Sequence, residues 1–359
     1  MQVPALGHRS PEFKDVIKEL TQGLRYLFQT KGNVVTLTGS ASLGMEAAVS
    51  NVIGPGDKIL VLENGKFGER FAKLAKMYAG DGAVVVKTEM GQPWNLAEAE
   101  RLIAGGGFKA VACVANESSA GVANPAARIA ELCKQHDAFF LLDGVTAVGG
   151  ADVPVDKWGV DACIVGSQKC IGAPAGLSYL ALSDEYLAAA KPRSLYGDLK
   201  SAANKWNEGT TPFTPATHLF LATAAALKLL AEDTLESRIE RCKRQARAFR
   251  AAMAALGLNL LPPAEIASET ITAVRYPAGA GEKEIRDVLK NDFGIVVAGG
   301  QDELKGKIMR VGHMGFARSR ELVATVGCIE QALSRTTHPT TLGAGVSAFL
   351  RQWGQQPAS

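Results

Sequence analysis

The stretch FFLLDGVTAVGG (139–150), followed by ACIVGSQKCIGAPAG (162–176), sets an acid and then a lysine just beyond two short apolar runs. Runs of this length, rich in Leu, Ile, Val and Phe without alternation, suit strands buried on both faces. Working outward, similar runs occur at VVTLT (34–38), KILVLE (58–63), AVVVK (83–87) and AVACVA (110–115). Helical periodicity fills 43–53, 66–78, 95–104 and 124–136 between them. Strand and helix in repeated alternation predict a mostly parallel sheet with crossover helices, a three-layer α/β/α domain. After TTPFTPATH (210–218) a helical tract over 217–256 leads to strand-like ITAVRYP (271–277), a helix at 281–291, GIVVAGG (294–300), KIMRVGHMG (307–315) and a helix near 318–335, a smaller α+β unit. The expected divisions are an N-terminal segment 1–15, a large domain 16–235, a small domain 236–338 and a loosely attached tail 339–359.

Bulk properties narrow the function. The chain has 359 residues, 47% hydrophobic and 21% charged, with 39 Lys and Arg against 36 Asp and Glu. A net charge of +3 without a basic run favours neither nucleic acid nor an anionic membrane as partner. No apolar run reaches the roughly 18 residues of a membrane span, and the start has no signal-peptide pattern, so a cytoplasmic protein is expected. Six cysteines (Cys113, Cys133, Cys163, Cys170, Cys242, Cys328) lack CxxC spacing and read as reduced, buried thiols. Five histidines (His8, His136, His218, His313, His338) have no paired ligand spacing, and no metal site is expected.

Asp143 and Lys169 carry the chemistry. Open α/β sheets place ligand-binding groups at the carboxyl ends of strands. Both residues stand there, where they could reach one ring. A lysine amine that can hold an aldehyde, paired with an acid that keeps a pyridine nitrogen protonated, is the requirement of pyridoxal 5′-phosphate (PLP) chemistry. In TGSASLGMEAA (38–48), Gly39, Ser40, Ala41 and Ser42 precede a helix whose amides and dipole attract an anion such as the cofactor's phosphate.

GSQKCIGAPAGLSYLALS (166–183) resembles the lysine motif of class V aminotransferases, in particular the alanine–glyoxylate and serine–glyoxylate branch. HRSPEF (8–13), GMEAAVSNVIGPGDKILVLENGKFGERF (44–71), NESSAGVANP (116–125), LLDGVTAVGG (141–150), TPFTPAT (211–217) and MRVGHMG (309–315) are similar to that family in the same order, so the likeness covers almost the whole chain. It implies fold type I of the PLP enzymes, with Lys169 as the Schiff-base lysine and Asp143 as the pyridinium partner. It also implies Val145 against one ring face, Phe67 stacked on the ring, Ser118 near the phenolic oxygen, and Ser40, Ala41, Ser42 and Gln168 around the phosphate. Thr211 and Thr214 would reach the phosphate from a partner subunit, making a homodimer with composite sites. Arg310, a planar two-pronged guanidinium, would clamp the substrate carboxylate.

The implied reaction is ping-pong transamination between a small amino acid of the alanine or serine type and a 2-oxo acid such as glyoxylate or pyruvate. Two departures stand out. The family commonly has another glycine where Ala41 stands, and a Pro/Gly-rich segment ahead of the His8–Arg9 pair, so the chain is expected to be trimmed or its substrate site more open. Alternatives are aminoethylphosphonate, ureidoglycine or pyridoxamine as substrate, a cysteine desulfurase-like lyase, or a non-catalytic subunit. The lyase usually has a histidine where Gln168 stands, and a non-catalytic subunit would be expected to lose Lys169 or Asp143.

Overall fold

The computed structural model describes Pro4 and residues 6–355. In chain order its strands are β1 (Asn33–Thr38), β2 (Ile59–Glu63), β3 (Ala83–Lys87), β4 (Ala110–Val114), β5 (Asn116–Glu117), β6 (Val122–Ala123), β7 (Phe139–Asp143), β8 (Ala162–Gly166), β9 (Leu177–Leu182), β10 (Ile271–Arg275), β11 (Ala298–Gly299) and β12 (Ile308–Gly312). Seven form one sheet in the order β1-β9-β8-β7-β4-β2-β3. The neighbours from β8 to β3 pair in parallel, whereas β9 runs antiparallel to both β8 and β1.

The pleat explains the unbroken apolar runs. In β2, Leu60 and Leu62 enter one core while Ile59 and Val61 enter another; Val111 and Cys113 of β4 part from Ala110, Ala112 and Val114 in the same way. Helices Pro11–Phe28, Leu96–Gly105, Ala126–Gln135 and Thr217–Asp233 cover the first face, and Ala41–Ser50, Lys66–Ala79 and Leu199–Asn207 the second. The mostly parallel three-layer expectation therefore holds. Every residue of β9 is buried, so LSYLALS is a core strand as well as the end of the lysine motif.

A second sheet, β10-β12-β11, is antiparallel and packs with helices Leu235–Ala255 and Ser319–Leu333 around a separate core. Three expectations need correction. The tract 217–256 is two helices, parted where Thr234 takes φ 59° and its hydroxyl accepts from the Ser237 amide to start the second. The first helix, Pro11–Phe28 with Ser10 as its cap, runs through the division expected between 15 and 16. The tail is not loosely attached over 344–354: helix Ala344–Gly354 buries Phe349 in the second core, and the Glu330 carboxylate accepts from the Gly343 and Val346 amides. Burying a phenylalanine side chain contributes roughly 1.5–3 kcal/mol, enough to hold one short helix in place. Residues 356–359 lie outside the described residues.

Candidate active site

The carboxyl ends of five strands converge. β1 leads through Gly39 into helix Ala41–Ser50, β2 through Gly65 into helix Lys66–Ala79, β4 into the segment 116–119, and β7 ends on Asp143. β8 leads into Ser167, Gln168 and Lys169. Asp143 is buried; its Oδ1 accepts from the Val145 amide at 2.9 Å, while Oδ2 takes no donor among the described residues. Burial pushes this carboxyl up to about 7, against the Val145 hydrogen bond, which lowers it; the nearby Glu117 charge raises it, and the Arg70 and Lys169 charges lower it. Lys169 is half-buried and Gln168 exposed.

Gly166 marks how closely the expected cofactor residues gather. A Cβ built there would lie 3.2 Å from Gln168 Oε1, 3.4 Å from Ala41 Cβ and 3.7 Å from Val145 Cγ1. Ser40 caps helix Ala41–Ser50 by backbone position, yet its side chain makes no cap hydrogen bond, which leaves that helix start suited to an external anion. Ser42 Oγ accepts from Arg70 Nη1 at 3.0 Å, and the Arg70 guanidinium lies 5.0 Å from the centre of the Phe67 ring. Phe67 is half-buried and Ser118 buried.

Arg310 on β12 reaches over from the second sheet. Its Nε donates to the Gly299 carbonyl at 2.9 Å and its Nη1 to the Ser118 carbonyl at 2.8 Å. Desolvation lowers its pKa, and the charge of Glu117 opposes that. His313, three residues on, is buried against the Thr272 hydroxyl at 2.9 Å; burial holds it at about 3, a neutral structural imidazole. Thr211 and Thr214 stand on a Pro-flanked turn beside the end of β1, where Thr211 Oγ1 donates to the Phe213 carbonyl. Among the described residues no hydrogen bond joins either threonine to Lys169, Asp143 or Ser40–Ser42. Within the single chain, Gln168, Ala41 and Val145 gather around Gly166, Lys169 acts on Asp143, Ser42 meets Phe67 through Arg70, and Arg310 meets Ser118.

Two charged residues in the site were missed in the sequence. Arg70 lies three residues after Phe67 on one helix, a spacing that puts the side chains on the same face. Glu117 is a lone carboxylate among small residues directly after a buried strand, and it accepts from the Phe67 and Gly68 amides.

The match to known proteins is extensive. The family model described as aminotransferase class-V matches residues 3–319. The chain belongs to the class V aminotransferases. It is 38% identical to an aminotransferase of Methanocaldococcus jannaschii described as uncharacterized, over 93% of this chain and 88% of that one. Identity is 39% to a protein named the soluble hydrogenase 42 kDa subunit of Anabaena cylindrica (96% and 92%), and 34% to an alanine–glyoxylate aminotransferase of Callithrix jacchus (89% and 80%). The crystal structure of a ureidoglycine–glyoxylate aminotransferase from Bacillus subtilis superposes with a TM-score of 0.93 at 30% identity, covering 99% of this chain and 93% of that one. A pyridoxamine–pyruvate aminotransferase from Mesorhizobium loti gives 0.93 at 27% identity, covering 97% and 91%. The architecture is fold type I, and the cofactor of this class V aminotransferase is pyridoxal 5′-phosphate. The residues present fit it: a buried carboxylate with an open oxygen beside a half-buried lysine, and a helix start without a side-chain cap.

Proposed function

We propose that this aminotransferase moves an amino group from a small amino acid of the alanine or serine type to a small 2-oxo acid such as glyoxylate or pyruvate, in two ping-pong halves. The observation that supports the reading is that Lys169 is near enough to the buried Asp143 to act on its titration, while Arg310 donates to the Ser118 carbonyl, beside the Glu117 whose charge acts on both Asp143 and Arg310. PLP, when bound, supplies an aldehyde that takes up amines and a ring that accepts electrons. Lys169 is the residue that would hold the cofactor, and its free amine would carry a proton to and from the substrate Cα. Asp143, through Oδ2, would keep the ring nitrogen protonated. Phe67 and Val145 would hold the ring, Ser40, Ala41, Ser42 and Gln168 would receive the phosphate, and Ser118 would serve the phenolic oxygen.

Arg310 binds the carboxylate that every such donor and acceptor carries. Its Nε and Nη1 are held by carbonyls, so the guanidinium is aimed before substrate arrives, and the side-chain entropy lost on binding is small. Charge-assisted hydrogen bonds of this type contribute about 1.5–3 kcal/mol. Arg310→Ala should therefore lower kcat/KM for the amino donor roughly 10- to 150-fold, with Arg310→Lys recovering part of it. Steady-state kinetics decides; an unchanged kcat/KM would remove Arg310 from the substrate site.

The composite-site reading follows the Pro-flanked turn of Thr211 and Thr214: among the described residues no hydrogen bond joins either threonine to Lys169, Asp143 or Ser40–Ser42, and the turn could reach the phosphate of a second copy in a homodimer. The large unit 16–235 then serves as the cofactor domain and 236–338 as the smaller domain bearing Arg310. Among the described residues no helix is long and apolar enough to cross a membrane, which agrees with the proposed cytoplasmic location. Ureidoglycine as donor is the second reading, supported by the 0.93 TM-score to the Bacillus subtilis enzyme. A donor panel of alanine, serine, aspartate and ureidoglycine, each assayed with glyoxylate, separates the two.

A further inference from the structure

The helix Lys66–Ala79 begins at Gly65, which has no side chain to cap it. Its first-turn amides are nevertheless all taken. The Lys66 amide donates to Ser119 Oγ at 3.0 Å, and the Phe67 and Gly68 amides both donate to Glu117 Oε2 at 3.1 Å. The other carboxylate oxygen, Oε1, accepts from the Ser119 amide at 3.1 Å and from the Ser119 hydroxyl. A cap drawn from fifty residues along the chain, with no exposed surface, is an unusual way to satisfy a helix start that a serine at position 65 could have satisfied locally. With Glu117 in this place a side chain at 65 must displace it: a Cβ there would lie 2.4 Å from Glu117 Cγ and 2.5 Å from Ser119 Oγ.

We propose that Glu117 is a positioning residue that sets the Phe67 ring over the cofactor, by fixing the first turn of its helix to the segment that also receives Arg310. The inference rests on the reading of Phe67 as the stacking residue. Ser118 lies between the two anchors, with its carbonyl accepting from Arg310, so ring and substrate clamp are referenced to the same four residues. Asn116 extends the connection to the Asp143 turn by donating to the Thr146 hydroxyl at 2.8 Å, and to the second sheet through the Thr270 hydroxyl at 3.1 Å. A neutral glutamine at 117 could still accept from Phe67 and Gly68 but would turn an NH2 group toward the Ser119 amide, two donors face to face.

The test uses the full-length protein stripped of cofactor and titrated with PLP, reading its dissociation constant and the induced visible circular dichroism, which reports ring orientation. Phe67→Ala alone is expected to weaken PLP by roughly 2- to 10-fold and to change the dichroism. Glu117→Gln and, independently, Gly65→Ala are expected to do the same, and the double variants Phe67→Ala/Glu117→Gln and Phe67→Ala/Gly65→Ala to be no worse than Phe67→Ala alone. Should Gly65→Ala fail to fold, Glu117→Gln and Ser119→Ala carry the comparison. Additive losses, or a Glu117→Gln protein with parental affinity and dichroism, would overturn the role of Glu117. A Phe67→Ala protein indistinguishable from the parent would instead overturn the stacking reading itself, and the inference with it.

Discussion

Lys169→Ala is expected to give a folded protein that no longer retains PLP after borohydride reduction and that has lost transaminase turnover by at least about 10²–10⁴-fold, the usual worth of one proton-transferring group. Lys66, one residue before Phe67, is tied to Glu69 and Asp302 by ion pairs and is not expected to take over. The same variant tests the composite site. After reversible dissociation, Lys169→Ala subunits are mixed with subunits carrying Thr211→Ala and Thr214→Ala. If the threonines act across the interface, each mixed dimer has one site with both defects and one with neither, so about half the sites should bind PLP as the parent does. Peptide mapping of reduced cofactor to any other lysine would remove Lys169 from its role, and verified mixed dimers without a parental site would remove the threonines from theirs.

Asp143→Asn is expected to retain PLP while losing turnover by about 10²–10³-fold, on the scale of removing one preorganised electrostatic partner from a buried reacting centre. A second signature needs no substrate. Burial raises the Asp143 carboxyl from its ordinary 3.8 to about 7 in the folded protein. The folded state then holds this proton more tightly than the unfolded chain, so its contribution to stability is full below about pH 4 and is lost as pH rises through about 7. By pH 8 the cost is of the order of a few kcal/mol. Cofactor-free protein should thus melt at progressively lower temperature between pH 5 and 8, and Asp143→Asn should flatten that decline. A parental slope unaltered by the asparagine would mean that the carboxyl is not held out of water as described.

The large sheet could be read from the sequence because β2, β4 and β8 are buried on both faces, and residues that feed two cores have no polar alternation to obscure them. β9 escaped because LSYLALS follows directly on the lysine motif, and its antiparallel direction depends on β8 and β1 rather than on its own residues. The break at Thr234 escaped because EDTLESR has neither Gly nor Pro; only a positive φ on a threonine parts the two helices. The docking of the tail could not be read because the surface that receives Phe349 comes from residues around Phe249 and Val326, far away in the chain. The strand-end positions of Lys169 and Asp143 were legible because Asp143 ends one short apolar run and Lys169 closely follows another. Glu117 was not, since an acid after a strand has many uses and its four donors come from Phe67, Gly68 and Ser119 through folding. The proposed contacts of Thr211 and Thr214 with a second copy would leave no mark in the periodicity of one chain.

The central claim, that this crevice performs transamination through Lys169-bound PLP, is tested most directly by a single half-reaction on the parental holoenzyme. Protein is mixed with alanine, serine or aspartate and no acceptor, and visible absorbance and keto-acid release are followed together. The expected result with a true donor is loss of the visible band, release of keto acid in an amount equal to the subunits and no more, and return of the band when glyoxylate is added. Continuous release of product without an acceptor, or a band that no donor in a broad amino-acid panel disturbs, would contradict it.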